Sequence, residues 1–296
     1  MIEIGLAAGF IKNQKHLEES ELLKSAADFI TFGSFTEDAH TGNPEPREKE
    51  YMDGKAYVNA INLENPGVRA AMGFMDELQT QMDAVGKRVR ISLAPTRPGS
   101  LRTMLFQTAV MPYRLNIEQE YNLACPNHRE GGKLHEILAH SPRAVRDVLE
   151  ETRGFAIDAT AVKIAPDTKP EVLAKICELC VEFRITKIVS GNTRKIKVPV
   201  VDGQPLLHKS IKYCGLSGEP LVESGMKQVA TLRQIITDRG YNLKIDACGG
   251  ISTGAIFKGY LDSGADGAQL GTAYTIRTKS KARIFSDIYE EYASLI

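Results

Sequence analysis

Residues Glu120–Leu134, with the sequence EYNLACPNHREGGKL, place one cysteine, Cys125, between Asn122 and Asn127. A thiol there is either a small apolar filler at the end of a strand or a reactive group that faces a pocket. A cysteine thiol ionises at about pH 8.5, and nearby positive charge or loop N–H groups lower that value. In a pocket, Cys125 would therefore serve as a general base.

Asparagine side chains accompany this thiol. Asn122, Asn127 and Asn192 each carry a paired donor and acceptor, which suits an amide-rich planar ring such as a pyrimidine or a flavin. Asn127 has an alternative role, since it also suits the turn that follows Pro126. The asparagines therefore indicate a ring-binding site, and Asn127 is open to both interpretations.

Lys163 ends an otherwise apolar stretch, AVKIAPD. A lysine that points into a protein interior is costly unless an anion or an electron-rich ring uses its charge. The alternative is an ion pair with Glu120 or Asp246.

Glycines follow two late apolar stretches of the chain. Gly249 and Gly250 lie in ACGGI, and Gly271 precedes Thr272 in LGTAY. Glycines at such positions let backbone N–H groups approach an anion closely. They also suit a plain tight turn between a strand and a helix. Their late position in the chain favours phosphate binding.

The composition describes an ordinary soluble protein. The 296 residues include 37 Lys and Arg and 37 Asp and Glu, so the formal net charge is zero, which argues against nucleic-acid binding as the main function. The N-terminus lacks the features of a signal peptide, and no run of about 18 apolar residues is present, so we expect no membrane association.

Five cysteines without a leader indicate reduced thiols and a cytoplasmic location. Cys177 and Cys180, in CELC, have redox-motif spacing but lie in a helical pattern, so we interpret them as packing residues.

Short apolar stretches alternate with amphipathic ones along the chain, which predicts βαβ units and a parallel sheet. Eight strands are predicted, in the segments IEIGLAA, ADFITFGS, VRISLAP, EQEYNLA, TAVKIAP, ITKIVSGN, LKIDACGGI and GAQLGTAY. This pattern predicts one α/β domain over residues 1–296, a (β/α)8 TIM barrel with its active site at the carboxyl ends of the strands. A doubly wound open sheet is the alternative. The Pro-, Gly- and Asn-rich segment 36–67 is long for a loop, so we expect it to be functional or to carry small strands.

The polar and glycine residues that end the predicted strands are the candidate site. This set is neither acidic enough for a hard metal nor thiolate-rich enough for zinc, so no metal is predicted. From the first strand to the last, its members are Ala8, Gly9, Gly33, Ser34, Asn122, Cys125, Asn127, Lys163, Ser190, Gly191, Asn192, Thr193, Cys248, Gly249, Gly250, Gly271 and Thr272.

Several of these segments resemble the dihydroorotate dehydrogenases in order and spacing. They are YNLACPN, VKIAPD, SGNT, CGLSGEPL, ACGGISTG and GADGAQLGTA, with AAGF, GNPEPR and NAINLENPG in the first third. The resemblance implies an FMN-binding (β/α)8 barrel that oxidises dihydroorotate to orotate in de novo pyrimidine (UMP) biosynthesis. Cys125 matches the catalytic base of the soluble, cysteine-using class 1, whereas the membrane-associated class uses serine.

The resemblance also implies roles for individual residues. Lys163 matches the lysine beside the flavin ring and, with Cys125, completes the catalytic set. The substrate-binding positions are Asn59, Asn122, Asn127, Asn192 and Thr193. The cofactor-binding positions are Ala8, Gly9, Gly33, Ser34, Asn122, Lys163, Ser190, Gly218, Gly249, Gly250, Gly271 and Thr272.

Two departures concern the substrate half of the site. A lysine usual in the family is missing near Phe32 and Gly33, and the family loop NSMGLPN here reads NAINLEN, which adds Glu64. Another dihydropyrimidine or a cyclic enone is therefore an alternative substrate. A tRNA-dihydrouridine synthase-like enzyme and a non-catalytic ligand-binding barrel are more distant alternatives.

The expected partners are a small pyrimidine substrate, a second copy of the chain in a homodimer, and neither nucleic acid nor membrane. The electron acceptor is open between fumarate, NAD reached through a separate electron-transfer partner, and another oxidant.

Overall fold

The computed structural model describes residues 2–109, 117–125, 129–130, 133–134, 137–155, 160–276 and 280–296. Eight parallel strands form a closed barrel, and each lies beside its neighbours in the chain, with the last strand closing on the first. The strands are β1 Glu3–Ile11, β2 Phe29–Phe35, β3 Arg88–Leu93, β4 Ile117–Asn122, β5 Thr160–Ile164, β6 Lys187–Ser190, β7 Lys244–Ala247 and β8 Gly267–Leu270. The predicted (β/α)8 barrel is confirmed, and the open sheet is excluded.

Helices surround the barrel. They are α1 Gln14–Ser20, α2 Val68–Ala84, α3 Ser100–Ala109, α4 Pro142–Glu150, α5 Pro170–Glu182, α6 Val222–Asp238, α7 Gly254–Asp262, α8 Thr272–Ile276 and α9 Ile284–Ala293. Single 3₁₀ turns occupy Leu22–Lys24, Leu138–His140, Glu219–Leu221 and Lys281–Arg283. Capping side chains fix the first residues of two helices. The Ser141 side chain accepts a hydrogen bond from the backbone N–H of Ala144 at the start of α4, and the Thr253 side chain accepts one from the backbone N–H of Ile256 at the start of α7.

A large hydrophobic core joins the barrel to its helices. Strand β5 is buried along its whole length, as expected for a parallel strand covered on both faces. Cys177 and Cys180 are buried on α5, and burial raises the pKa of Cys177 to about 12. Their predicted packing role is therefore confirmed, because such thiols stay protonated.

The long segment 36–67 carries two short strands, as predicted. Glu48–Tyr51 pairs with Ala56–Asn59, and this hairpin joins Tyr213–Gly218 and Arg194–Lys197 in a four-stranded antiparallel sheet beside the barrel. A small core of its own lies under that sheet. The sheet therefore places the loop after Asn59 at the mouth of the barrel.

Two smaller hairpins complete the described secondary structure. They pair Arg129–Glu130 with Lys133–Leu134, and Val200–Val201 with Gln204–Pro205. Within the described ranges, the helices are too short or too polar to cross a lipid bilayer.

Candidate active site

A cavity of about 670 Å³ opens at the carboxyl ends of the barrel strands. Strand ends of a parallel barrel converge on one face, so residues far apart in sequence meet there. The predicted site residues that line this cavity are Ala8, Gly9, Ser34, Asn59, Asn122, Cys125, Lys163, Asn192, Thr193, Gly249, Gly250, Gly271 and Thr272.

Three predicted cofactor-binding residues lie behind the wall of the cavity. Gly33 is buried in β2, where a Cβ would come within 2.7 Å of the Ser92 carbonyl oxygen. Ser190 is buried and accepts a hydrogen bond from the Gln228 side chain at 3.1 Å. Gly218 lies behind Gly250, where its carbonyl oxygen would be 2.4 Å from a Cβ added at Gly250. These three residues shape the site from outside it, while Asn127 falls outside the described residues.

Lys163 projects from β5 into the cavity and is almost fully buried. Its Nζ donates a hydrogen bond to Gln269 Oε1 at 3.0 Å, and Gln269 Nε2 donates to Glu120 Oε2 at 2.6 Å. An amide therefore stands between the lysine and the carboxylate that sequence reasoning offered as its partner. Asp246, the other candidate partner, pairs with Arg90 and Lys187 instead.

Two asparagines form a hydrogen-bonded pair beside Lys163, at the ends of β4 and β6, the two strands that neighbour β5. Asn192 Nδ2 donates to Asn122 Oδ1 at 3.2 Å, and Asn122 Nδ2 donates to Ser34 Oγ at 2.8 Å. The Asn192 Oδ1 atom accepts from the backbone of Thr193 at 2.8 Å. Both amides are therefore held in fixed orientations at the ends of β4 and β6.

Cys125 lies three residues beyond the end of β4 and lines the same cavity as Lys163. It is half-buried and forms no disulfide. A half-buried thiol on a loop can reach a ligand while remaining able to exchange a proton with its surroundings. The structure thus brings the two predicted catalytic residues to one cavity from different strands.

The late glycines form a close backbone cradle. Gly250 has a φ of +71°, and a Cβ there would lie 2.4 Å from the carbonyl oxygen of Gly218. Beside it, the Thr272 hydroxyl donates to Ser217 Oγ at 2.7 Å. Only glycine fits at position 250, which leaves backbone N–H groups accessible to a ligand.

A second thiol, Cys248, also lines the cavity. Burial raises its pKa, although the adjacent Lys163 ammonium works in the opposite direction. Burial therefore keeps the Cys248 thiol protonated at neutral pH.

Sequence reasoning missed two cations that line the cavity, Lys12 and Arg47. Burial lowers the pKa of Lys12, while Glu64 opposes that effect. Arg47 bonds Glu64 at 2.6 Å and Glu45 at 2.8 Å. Lys12 closely follows the quoted AAGF segment and Arg47 ends the GNPEPR segment, so a signal was present for both.

Carboxylates accompany these cations at the rim. Glu48 and Glu50 line the cavity together with Tyr57. Burial, followed by the charge of Glu48, raises the pKa of Tyr57 to about 12, so its hydroxyl is a donor at neutral pH. The part of the cavity that Lys12, Arg47, Glu48 and Glu50 line is thus mixed in charge, in contrast to the neutral amides of Asn122 and Asn192.

Among the described residues, no group of three or more His, Cys, Asp or Glu side chains is arranged to hold a metal ion.

Known proteins share the sequence pattern and the fold of this chain. The profile of the family described as dihydroorotate dehydrogenase matches residues 3–296. The dihydroorotate dehydrogenase (quinone) of Dichelobacter nodosus is 28% identical over 281 residues, which span 90% of this chain and 77% of the relative. The enzyme of the same name from Alkalilimnicola ehrlichii is 29% identical over 280 residues, which span 93% and 78%. These relatives are quinone enzymes of class 2, whereas the resemblance of Cys125 implied class 1.

A solved structure shares the fold. The crystal structure of DHODH from Eimeria tenella in complex with ferulenol superposes with a TM-score of 0.78 at 17% identity. The match covers 99% of this chain and 81% of that one.

Proposed function

Since the chain belongs to the dihydroorotate dehydrogenase family, we propose that it oxidises dihydroorotate to orotate with Cys125 as the general base. Enzymes of this family are FMN-dependent oxidoreductases that act on a CH–CH group. The observation that carries the proposal is the convergence of Cys125, Lys163 and the Asn122–Asn192 pair on one cavity.

The residues present fit FMN. The closely packed glycines around Gly250 suit the phosphate, because they would present backbone N–H groups at the late strands, and Thr272 lines the cavity beside them. Ala8, Gly9 and Ser34 are small residues that line the cavity, and with Lys163 they would hold the flat flavin ring. When bound, FMN supplies the hydride acceptor for the reaction.

The protein's own contribution is proton transfer and orientation. Cys125 Sγ removes the proton from one ring carbon of the substrate, beside the carbon that loses hydride, so a carbon–carbon double bond forms. The amides of Asn122 and Asn192, with Asn59 and Thr193, orient the ring. The Lys163 ammonium stabilises negative charge in the deep half of the cavity.

Lys12 supplies the positive charge that sequence comparison found missing near Phe32 and Gly33. Lys12 lines the same cavity as Asn59. A carboxylate-bearing ring requires a cation there, and charge-assisted hydrogen bonds are the strong ones. We therefore assign the carboxylate of the substrate to Lys12.

Anaerobic absorbance spectroscopy tests the proposal directly. The purified protein is expected to be yellow and to bleach when dihydroorotate is added without oxygen. A protein that dithionite bleaches but dihydroorotate does not would exclude this substrate while leaving the flavin intact.

A different dihydropyrimidine or a cyclic enone is the second candidate. Glu48, Glu50 and Glu64 line the substrate half, and Arg47 is already bonded to Glu45 and Glu64. A panel of neutral and acidic rings separates the two candidates. Faster anaerobic bleaching by neutral rings than by dihydroorotate would favour the second.

The electron acceptor and the cellular setting are proposals as well. The named relatives use a quinone, so a quinone is the first acceptor to assay against fumarate and NAD. A role in pyrimidine biosynthesis, a cytoplasmic location and a homodimer stay predictions. Complementation of a pyrimidine auxotroph and light scattering of the purified protein test the first and the last.

A further inference from the structure

A continuous chain of hydrogen bonds lies beneath the floor of the cavity and ends on one buried carboxylate, Glu120. One arm runs from Lys163 Nζ to Gln269 Oε1 at 3.0 Å and from Gln269 Nε2 to Glu120 Oε2 at 2.6 Å. The other arm reaches Glu120 Oε1 from the Ser92 hydroxyl at 3.0 Å. Glu120 is fully buried, and its two oxygens belong to different arms.

The second arm begins at the asparagine pair. Asn122 Nδ2 lies 2.8 Å from Ser34 Oγ, and Ser34 Oγ lies 2.9 Å from Ser92 Oγ. Asn192 extends this arm, since its Nδ2 donates to Asn122 Oδ1. The carboxylate is therefore connected both to the Lys163 ammonium and to the amides of Asn122 and Asn192.

The direction of every bond in the chain is fixed. An ammonium group only donates, so Gln269 must accept with Oε1 and present its Nε2 to Glu120. The backbone N–H of Ala124 donates to Asn122 Oδ1 at 3.2 Å, so the Nδ2 of that amide must face Ser34. Ser92 gives its proton to Glu120, and Ser34 therefore donates to Ser92.

Both arms consequently donate toward position 120. A carboxylate accepts with both oxygens, whereas an amide or a hydroxyl at this position would have to turn one arm around. We propose that Glu120 is a positioning residue, which fixes the Lys163 ammonium through Gln269 and the Asn122 amide through Ser92 and Ser34. The inference rests on the proposed function, because it assigns the two ends of the chain to the flavin and the substrate.

The proposal predicts two separable effects. A negative charge near the flavin opposes the formation of anionic reduced flavin, so its removal should favour the reduced form. Loss of the Ser92 arm should loosen the Asn122 amide and weaken the binding of the product ring. Neither effect requires turnover for its measurement.

The experiment uses the FMN-loaded protein with three substitutions. Glu120→Gln has nearly the same volume but one acceptor and no charge, Gln269→Met breaks the lysine arm, and Ser92→Ala breaks the asparagine arm. The readouts are the midpoint potential of bound FMN, from photoreduction against a reference dye, and the dissociation constant of orotate, from the perturbed flavin absorbance.

For Glu120→Gln we expect reduced FMN to be favoured over oxidised FMN by about tenfold, which is about 30 mV for a two-electron couple. Orotate should bind about tenfold more weakly. Gln269→Met should shift the potential the opposite way, because it releases the Lys163 ammonium while Glu120 keeps its charge, whereas the amide oxygen in Glu120→Gln still accepts from Gln269. Orotate binding should change little in Gln269→Met, and Ser92→Ala should weaken orotate binding with the potential unchanged.

Glu118→Gln is the matched control. Glu118 lies two residues earlier on β4, but it bonds Arg88 and Arg90 instead of the chain that ends on Glu120. It should lower stability and leave the potential and orotate binding at wild-type values. Folded Glu120→Gln protein with both readouts unchanged would overturn the proposal, and so would an equal shift in potential in Glu118→Gln.

A failure of the proposed function gives a different result. In that case wild-type protein neither binds orotate nor is bleached by dihydroorotate. The midpoint potentials of wild type, Glu120→Gln and Gln269→Met still test whether Glu120 acts on Lys163 through Gln269, because photoreduction needs no substrate.

Discussion

Two layers of charged and polar side chains lie inside the same barrel, one toward each end. In the lower layer, ion pairs follow one another without interruption. They run in the order Glu3, Arg88, Glu118, Arg90, Asp246 and Lys187, at distances from 2.5 to 3.3 Å. The upper layer holds Lys163 and Glu120 apart with an amide and continues through neutral hydroxyls and asparagines.

The difference lies in where the charges find their partners. In the lower layer each charged group pairs with another charged group, and Arg90 also stacks 4.0 Å from the centre of the Phe29 ring. In the upper layer Lys163 and Asn122 line the cavity, where a ligand can complete their interactions. A closed network of this kind contributes to stability, while an open one is available for binding and catalysis.

Replacement of Cys125 should have the largest effect, and it tests the open end of the barrel. Cys125→Ser is expected to lower turnover by about 10²–10⁴-fold, because a positioned general base contributes about that much. The pH optimum should move upward, since a serine hydroxyl is a far weaker acid than a thiol. Steady-state kinetics across pH measure both changes, and urea unfolding should give wild-type stability. Unchanged turnover would place the base elsewhere.

Replacement of Asp246 tests the closed layer. Asp246→Ala leaves Arg90 and Lys187 buried without their shared carboxylate, so we expect a loss of about 3–5 kcal/mol in the free energy of unfolding. Urea denaturation measures it. The matched control is Asp262→Ala, which removes an exposed pair with Lys258 and should cost less than about 1 kcal/mol. Equal losses in the two variants would contradict the distinction between the layers.

How far the sequence predicts the barrel and the two layers inside it depends on the kind of feature. Strand and helix alternation predicts the barrel, and the convergence of parallel strand ends predicts that Cys125, Lys163 and Asn192 share a cavity. The partner of Lys163 was not predictable, because Gln269 reaches it across the barrel interior. That contact depends on barrel closure and stagger, which a pattern along one strand does not contain.

Lys12 and Arg47 were missed for different reasons. Lys12 directly follows β1, which runs to Ile11 and so ends later than the predicted strand IEIGLAA, whereas Arg47 lies in the long segment just before the hairpin of Glu48–Tyr51 and Ala56–Asn59. The position of Arg47 is set by pairing between Ala56–Asn59 and the distant Tyr213–Gly218 strand. Long-range pairing of this kind leaves little local pattern, so only the resemblance of the GNPEPR segment to the family marked the neighbourhood of Arg47.

Replacement of Lys12 tests the contact that we assign to the carboxylate of the substrate. Lys12→Met should weaken orotate binding by about 10–100-fold, since a hydrogen bond to a charged group is worth about 1.5–3 kcal/mol. Flavin absorbance titration measures the dissociation constant. Lys55→Met is the control, because Lys55 is an exposed lysine that forms only a loose pair with Glu219. Undiminished orotate binding by Lys12→Met would exclude Lys12 as the carboxylate contact.

Acid pH should weaken the lower layer selectively. Burial alone would raise the pKa of Asp246, but Arg90 and Lys187 hold it below its ordinary value of 3.8. The unfolded chain therefore takes up the proton first, and the stabilisation is complete above about pH 4 and lost as pH falls further. Unfolding free energies between pH 5 and pH 3 should fall less steeply in Asp246→Asn than in wild type. Parallel slopes would mean that other carboxyls dominate acid unfolding.

Alkaline pH should act on the upper layer instead, through Cys248. Burial raises the pKa of this thiol above its ordinary value of 9.0, with Lys163 opposing. Between about pH 9 and the higher pKa of the folded state, the unfolded chain releases the proton while the folded protein keeps it, so stability falls as pH rises. Cys248→Ala should flatten this decline only in part, because Cys177 and Cys214 are buried elsewhere with raised pKa values of their own. Comparison with Cys214→Ala isolates the contribution of the cavity thiol. A decline in Cys248→Ala as steep as in wild type would mean that the cavity environment does not hold this proton.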